Sequence, residues 1–464
     1  SVIPDIFTYT IKYNGNDKIK RNQSQKNGYF ETQSTLLKIN VWTGNHLPSL
    51  QPEPEMPESR EYFPGVRFSL TEVNFPGIRT FEVAPSYKKL TTDILQFGGL
   101  GPQLDNRLLF SREVKEITQE KTGKIEQMKA VYDHVCNHVN WNGFEYPVPN
   151  EPIRIAYRDK TGNNADINSI LINMLRTAGI NADPVVLSTR SNGTLNQVVA
   201  LMGDLDYMIC LAEIDGREFL LDATNRFRPM GMLPFRCLNR QGWVLNESRG
   251  RWVDLLNNEK KSVRKFYDFM FDAGGKISAS VKATYEGYDA DYMRELIHNQ
   301  TIAGLTEEFA DSIGSYKISN LEVQNLENIY EPLSITYSLE SNSTLISGDN
   351  LVFFKPLFGS PGNPWIKDER IYPVDLGCPG YYNITCVYHL PDNLKIEEIP
   401  QSIRLILPGS DAIYTYRISN NNNLLTLNEE LEMTRTWFEP GEYSVLREFY
   451  TQINKKKNEM VVMH

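Results

Sequence analysis

The 464 residues are too many for one hydrophobic core, and at roughly 150 residues per domain they predict about three domains. Hydrophobic residues at 41% and charged residues at 23% are ordinary globular usage, which excludes bulk disorder. The 48 basic and 58 acidic residues leave a net charge of −10, and no arginine-rich stripe interleaved with aromatics offsets it, so nucleic acid is not an expected partner. The longest apolar runs, such as 185–187 and 208–212, fall far short of the roughly 18 residues that span a bilayer, so no membrane span is expected.

Residues 1–82 alternate apolar and polar positions between turn residues, as in 6–11 and 35–41, and predict a β-rich N-terminal domain. Pro48, Pro52, Pro54 and Pro57 predict an extended connection, after which strand resumes near Val66. From about 83 the period changes to 3.6. Ile125, Met128, Tyr132, Val135 and Val139 recur at helical spacing and predict one buried helix face.

A second helix is expected from about Ala165, with Ile167, Ile170, Leu171, Met174, Leu175 and Ala178 as its stripe, Asp166 at its positive end and Gly179 as its stop. Residues 184–189 read as a buried strand, and 205–214 and 217–222 as a hairpin around Asp215-Gly216. That loop sets Ile214 opposite Arg217, Ile209 opposite Asp222 and Tyr207 opposite Thr224. Tyr207 and Asp222 then share a face as diagonal neighbours, about 7–8 Å apart.

From 259 to 464 alternation returns, as in 276–285, 333–339, 382–388 and 404–407, interrupted by a helical insertion over roughly 290–313. An antiparallel β-rich C-terminal domain is the simplest account. Lys455, Lys456 and Lys457 read as a short solvated tail. The five cysteines, Cys136, Cys210, Cys237, Cys378 and Cys386, are too sparse for a disulfide scaffold, and independent thiols are favoured over a short Cys378–Cys386 loop.

The order of these central elements resembles the transglutaminase-like superfamily of the papain-like fold. The resemblance rests on 161–190, TGNNADINSILINMLRTAGINADPVVLSTR, and on 205–225, LDYMICLAEIDGREFLLDATN, and extends over roughly 83–258. It implies an α+β fold: a papain-like transglutaminase core at 83–258 flanked by two antiparallel β-rich domains, 1–82 and 259–464. It also implies acyl-transfer chemistry, in which a thiolate at a helix N-terminus is served by a histidine that an aspartate orients.

Carried over residue by residue, the nucleophile position falls on Asn164, the base on Tyr207 and the orienting acid on Asp222. A carboxamide is no nucleophile, and a phenol with a reference pKa near 10 is no base at neutral pH. Losing the nucleophile or the base of such a triad costs roughly a millionfold in turnover. No replacement is expected: Cys210 points to the opposite sheet face from Tyr207, and Cys136 and His138 lie on different faces of their helix.

His134 and His138 have i,i+4 spacing but no third ligand, and the Gly98, Gly99 and Gly101 cluster lacks a phosphate-binding context, so no metal or other cofactor is expected. The plain reading of the relic positions is a Tyr207 hydroxyl satisfying a half-buried Asp222, with Asn164 capping its helix. The sharper one is a persisting cleft that binds ligand through Asn164, Tyr207 and Asp222, with Trp141 and Tyr146 as an aromatic wall.

The whole chain resembles a bacterial multidomain group with β-rich N- and C-terminal domains of unknown function. That likeness implies a periplasmic or cell-surface location and a first domain that begins partway through. The expected function is therefore binding of a peptide, glycan or protein partner at the cell envelope without catalysis. A cysteine-independent hydrolase or acyltransferase acting on peptide or cell-wall substrates, and a structural envelope assembly module, stand as alternatives.

Overall fold

The computed structural model describes residues 2–4, 7–14, 19–30, 33–44, 49–57, 62, 65–75, 79–82, 86–198, 200–256, 259–272, 276–301, 304–307, 309, 316–344, 351–357, 363–392 and 394–464. Two compact units divide the chain, one of Ser1–Pro52, Pro57–Arg226 and Met230–Leu256, the other of Glu53–Met56, Phe227–Pro229 and Asn257–His464. The N-terminal alternation forms strands β1 (Val2–Pro4), β2 (Phe7–Asn14), β3 (Ile19–Phe30), β4 (Gln33–Gly44), β5 (Gly65–Phe75) and β6 (Arg79–Glu82). They pair antiparallel in the orders β1-β4-β3 and β2-β5-β6.

Within the same unit, α1 (Tyr87–Gln96), α2 (Leu100–Asp105), α3 (Ser111–Thr118) and α4 (Lys124–His138) lead into a short strand β7 (Asn140–Trp141). On α4 the predicted stripe holds for Met128, Tyr132, Val135 and Val139, while Ile125 is 45% exposed and Val131 is buried instead. Next come α5 (Ile153–Asp159), β8 (Thr161–Gly162) and α6 (Asn164–Thr177).

Helix α6 begins one residue earlier than the periodicity suggests, because Asn163 is its N-cap. The Asn163 carboxamide accepts the Asp166 N–H at 2.7 Å, and the Asp166 carboxylate accepts the Asn163 N–H at 2.8 Å, a reciprocal capping box. Gly179, at φ +72°, ends the helix in a left-handed turn, with the Ile180 N–H reaching back to the Leu175 carbonyl at 3.0 Å.

A predicted stripe is only part of the burial on α6. Every residue from Asn164 to Leu175 is buried, because α2, α3, α4 and α5 pack around it and β9 (Asn181–Leu187) and β10 (Tyr207–Ile214) cover the remaining side. A helix enclosed in this way must satisfy its polar side chains internally. Strands β11 (Arg217–Leu221), β12 (Gln241–Val244) and β13 (Trp252–Asp254) complete an antiparallel sheet in the order β11-β10-β9-β12-β13. The β10–β11 hairpin has the predicted register, Ile214 opposite Arg217, and both loop residues take positive φ, Asp215 at 51° and Gly216 at 75°.

In the second unit, β14 (Lys261–Phe271), β15 (Lys276–Glu286), α7 (Gly287–Asn299), β16 (Tyr316–Gln324) and β17 (Leu333–Thr344) precede the short strands β18 (Val352–Phe354) and β19 (Val374–Asp375). Then follow β20 (Gly380–His389), β21 (Ile396–Glu398), β22 (Ile403–Ile406), β23 (Ala412–Asn421), β24 (Leu424–Met433), β25 (Trp437–Phe438), α8 (Tyr443–Lys457) and β26 (Val461–Met463). Among the described residues an eight-stranded sheet runs β16-β17-β15-β14-β20-β24-β23-β22.

All its neighbours are antiparallel except β14 and β20, which the long connection between them lets lie parallel. The predicted helical insertion appears as α7 and helical turns at 304–307, while 302–303, 308 and 310–313 lie outside the described residues. Lys455 is exposed as expected, but Lys456 and Lys457 are not, and the three lysines are not a tail. They close α8, whose Tyr443, Leu446, Phe449 and Ile453 enter the core; Lys456 is 5% exposed, and Lys457 meets Glu429 at 3.1 Å.

The proline-rich connection is equally well anchored: Glu53 accepts the Ile371 and Tyr372 N–H groups, each at 3.1 Å, beside the Arg370 guanidinium at 3.5 Å. No described helix is long and apolar enough to cross a membrane.

Candidate functional site

Three elements converge where the resemblance places the chemistry: the N-terminus of α6, the start of β10 and the chain just after β11. Pairing of β7 with β8 sets Trp141 beside Gly162, which leads into α6. Only glycine fits there, since a Cβ would come within 2.6 Å of the Asp166 Cβ. Asp166 also accepts the Asn150 and Glu151 N–H groups at 3.0 and 3.2 Å, tying the 142–151 loop to the helix start, and burial raises its carboxyl above the usual aspartate range.

Asn164, Tyr207 and Asp222 each have no exposed surface. Asn164 is the first helical residue rather than the cap, because the reciprocal bonds with Asp166 belong to Asn163. Its Oδ1 accepts the Tyr146 N–H at 2.7 Å and its Nδ2 donates to the Met208 carbonyl at 3.4 Å. The carboxamide thus spans from the loop to β10 through backbone groups. Among the described residues it makes no hydrogen bond to the Tyr207 hydroxyl or the Asp222 carboxylate.

Asp222 is fully buried where a half-buried carboxylate was expected, and it is satisfied differently. Its Oδ1 accepts the Thr224 N–H at 3.0 Å and the Thr224 hydroxyl, and its Oδ2 accepts Asn168 Nδ2 at 3.2 Å. Tyr207 reaches it through Thr224: the two hydroxyls lie 3.3 Å apart. Burial first, then the negative charge of Asp222, pushes the Tyr207 phenol well above its ordinary pKa, against a smaller opposing influence of Arg236. Both of the larger influences favour the neutral, hydrogen-bonding form of the phenol.

Asn168, one turn beyond Asn164, is the residue that sequence reading misses. Its Nδ2 also donates to the Met208 carbonyl at 2.9 Å, and its Oδ1 accepts the Ala223 N–H at 3.0 Å, so one buried carboxamide joins α6, β10 and the Asp222 segment. The available signal is its i+4 spacing from Asn164, which puts both on one face. Tyr132, on α4, adds a hydroxyl bond to the Asp222 carbonyl at 3.0 Å.

Towards the surface lies the Arg236 guanidinium, which also has no motif to announce it. It stacks on Trp141 at 4.3 Å from the ring centre, sits 6.0 Å from the Tyr207 ring and pairs with Glu145 at 3.1 Å. Trp141 Nε1 donates to the Phe144 carbonyl at 3.0 Å, and the Phe144 N–H donates to Asn142 at 3.0 Å. Trp141 is half-buried under the arginine, whereas Phe144 and Tyr146 are 71% and 54% exposed. The predicted wall therefore divides: Trp141 faces inward and Tyr146 faces solvent.

The other sequence candidates fall elsewhere. Cys210 is buried in the core with Met208 and Ala212, and burial drives its thiol far up, away from a reactive thiolate. All five cysteines are buried free thiols. His134 and His138 form a ring stack with Tyr157, whose hydroxyl lies 2.9 Å from His134 Nε2, and no group of three or more metal-ligating side chains occurs among the described residues. Gly98 and Gly99, both at positive φ, form the turn between α1 and α2.

Residues 112–220, which carry α4, α6 and most of the β10–β11 hairpin, match the transglutaminase-like superfamily. Residues 349–463 match a domain of unknown function for which a structure has been solved, DUF3858. A crystal structure of a "putative protease" from Parabacteroides distasonis superposes with a TM-score of 0.57 over 100% of this chain and 71% of that one, at 13% identity, a likeness of fold. No curated protein matches the chain.

Proposed function

We propose that this chain is a catalytically silent transglutaminase-like protein that acts by binding a peptide, glycan or protein partner at the cell envelope. One observation carries the reading: all three relic positions are fully buried, with their polar groups engaged by the protein itself. A nucleophile and base must meet substrate, and Asn164 and Tyr207 have neither the chemistry nor the access. Ligand contact then falls to the outer loop, where Phe144 and Tyr146 are exposed and Arg236 stacks on Trp141. The envelope location rests on the family resemblance.

The test compares wild type with the double variant Asn164→Cys, Tyr207→His in assays of peptide-amide hydrolysis and amine incorporation. Neither protein is expected to turn over substrate, the variant because its new thiol and imidazole remain beneath the surface. Wild-type turnover abolished by Asp222→Ala would refute silence. A ligand from a screen of peptides and glycans that stabilises wild type but not Tyr146→Ala would establish the loop as the contact. Binding that is indifferent to Tyr146→Ala and Phe144→Ala would remove it.

A further inference from the structure

Four asparagines precede a glycine: Asn14, Asn27, Asn142 and Asn192. In that pairing the next peptide nitrogen carries no neighbouring side chain to hinder its attack on the asparagine carboxamide. The fold treats the pairs differently. Asn27 and Gly28 lie within β3, in register with Leu36 and Thr35 of β4. Asn192 is 9% exposed, and its Nδ2 donates to Ser188 Oγ at 3.2 Å and to the Asp204 carbonyl at 3.1 Å. The Gly193 carbonyl is held in turn by Asn239 Nδ2 at 2.8 Å. Gly15 lies outside the described residues.

Asn142 and Gly143 are exposed, directly after β7, in the loop that carries Phe144 and Tyr146. The Asn142 N–H is anchored on the Gly162 carbonyl at 3.0 Å, and among the described residues neither Asn142 Nδ2 nor the Gly143 N–H has a hydrogen-bond partner. Asn142 Oδ1 accepts the Phe144 N–H at 3.0 Å, which folds the carboxamide forward along the chain, over the Gly143 peptide. The same bond polarises the side-chain carbonyl and is placed to stabilise negative charge on its oxygen. Gly143, at φ +85°, has open space where a Cβ would stand, so nothing crowds the approach.

We propose that Asn142-Gly143 is a self-modification site at which the native chain converts Asn142 to aspartate and isoaspartate. The Gly143 nitrogen bonds to Asn142 Cγ and loses its proton to water or hydroxide, while the C–N bond of the carboxamide breaks and ammonia leaves. Water then opens the resulting five-membered imide at either carbonyl. Nucleophile and electrophile belong to adjacent residues, so proximity replaces an enzyme. Each product places a new carboxylate next to Trp141, on which Arg236 stacks while it pairs with Glu145. The isoaspartate product also lengthens the backbone between Trp141 and Phe144, whose Nε1 and carbonyl are bonded at 3.0 Å. The modification thereby alters the loop that presents Phe144 and Tyr146, a consequence that rests on the proposed role of that loop in ligand contact; the chemistry itself does not.

The test is incubation of the folded full chain at mildly alkaline pH in heavy-oxygen water, followed by peptide mapping with mass spectrometry. An isoaspartate methyltransferase with labelled methyl donor counts the isoaspartate product. Asn142 is expected to react well ahead of Asn27 and Asn192, to take up one heavy oxygen and to react faster as pH rises. In urea, where the fold no longer shields the other pairs, Asn27 and Asn192 are expected to approach the rate of Asn142. Asn142→Gln, whose attack would need a six-membered ring, is expected to leave no comparable reaction at this loop.

A native Asn142 that keeps its amide while the unfolded chain loses it overturns the proposal. So does a native Asn142 that reacts no faster than Asn192. Conversion without uptake of heavy oxygen overturns the imide route.

Discussion

Replacing Asn168 by leucine tests whether the buried carboxamide network holds the transglutaminase-like core together. The side chains are similar in size, so packing is nearly conserved and the change isolates hydrogen bonding. Three bonds are lost: to the Met208 carbonyl at 2.9 Å, to the Asp222 carboxylate at 3.2 Å and from the Ala223 N–H at 3.0 Å. A neutral bond contributes about 1 kcal/mol net and one to a charged group about 1.5–3 kcal/mol, so the loss is about 4 kcal/mol. The sites are fully buried, so no solvent discount applies.

For a unit of this size each kcal/mol moves Tm by roughly 2–4 °C, which predicts a drop on the order of 10 °C. Scanning calorimetry and urea unfolding followed by circular dichroism measure it. Asn137→Leu is the control, because Asn137 is exposed on α4 and bonds only within its own helix, to the Asp133 carbonyl. The control is expected to change stability by less than about 0.5 kcal/mol. An Asn168→Leu loss below about 1 kcal/mol would show that the network is worth little and that apolar packing alone supports the site.

Three further outcomes are expected. Tyr207→Phe removes only the hydroxyl next to Thr224 and should cost about 1 kcal/mol, whereas Tyr207→Ala empties a fully buried aromatic position and should cost about 3–5 kcal/mol; denaturant melts that rank them otherwise contradict the assigned role. Burial lowers the pKa of both His134 and His138 in the folded state. The unfolded chain therefore takes up protons first, and the core unit should lose stability as pH falls from about 6.5 towards the folded-state values. Melting curves of wild type and of His134→Gln, His138→Gln between pH 7.5 and 5 should converge on acidification; parallel curves would remove the two histidines as the cause. With all five cysteines buried, a thiol reagent should label almost none in the native protein and all five after denaturation. Rapid native labelling at Cys210 would contradict its placement in the core.

The division between sequence and tertiary structure is clearest around Asn164, Tyr207 and Asp222. Local rules suffice for the hairpin: Asp215-Gly216 demands positive φ at both positions, so the Ile214–Arg217 register and the proximity of Tyr207, Asp222 and Thr224 follow from the chain alone. The same holds for α6, whose capping residues and terminal glycine are neighbours in sequence.

Partner choice is not local. That Asn163 and not Asn164 caps the helix depends on backbone angles, and that Asn164 reaches Tyr146 depends on a loop 18 residues away in sequence being pinned by Asp166. Asn168 and Arg236 acquire their roles only because α6 is enclosed on every side and because Arg236 comes to rest over Trp141. Likewise Lys457 looks like part of a charged tail until α8 closes over the sheet and brings it to Glu429. Periodicity reports which face of an element is apolar. It carries no information on which polar group of a distant segment will face a buried one, because hydrogen-bond pairing is fixed by three-dimensional distance, and only the packed chain sets that distance.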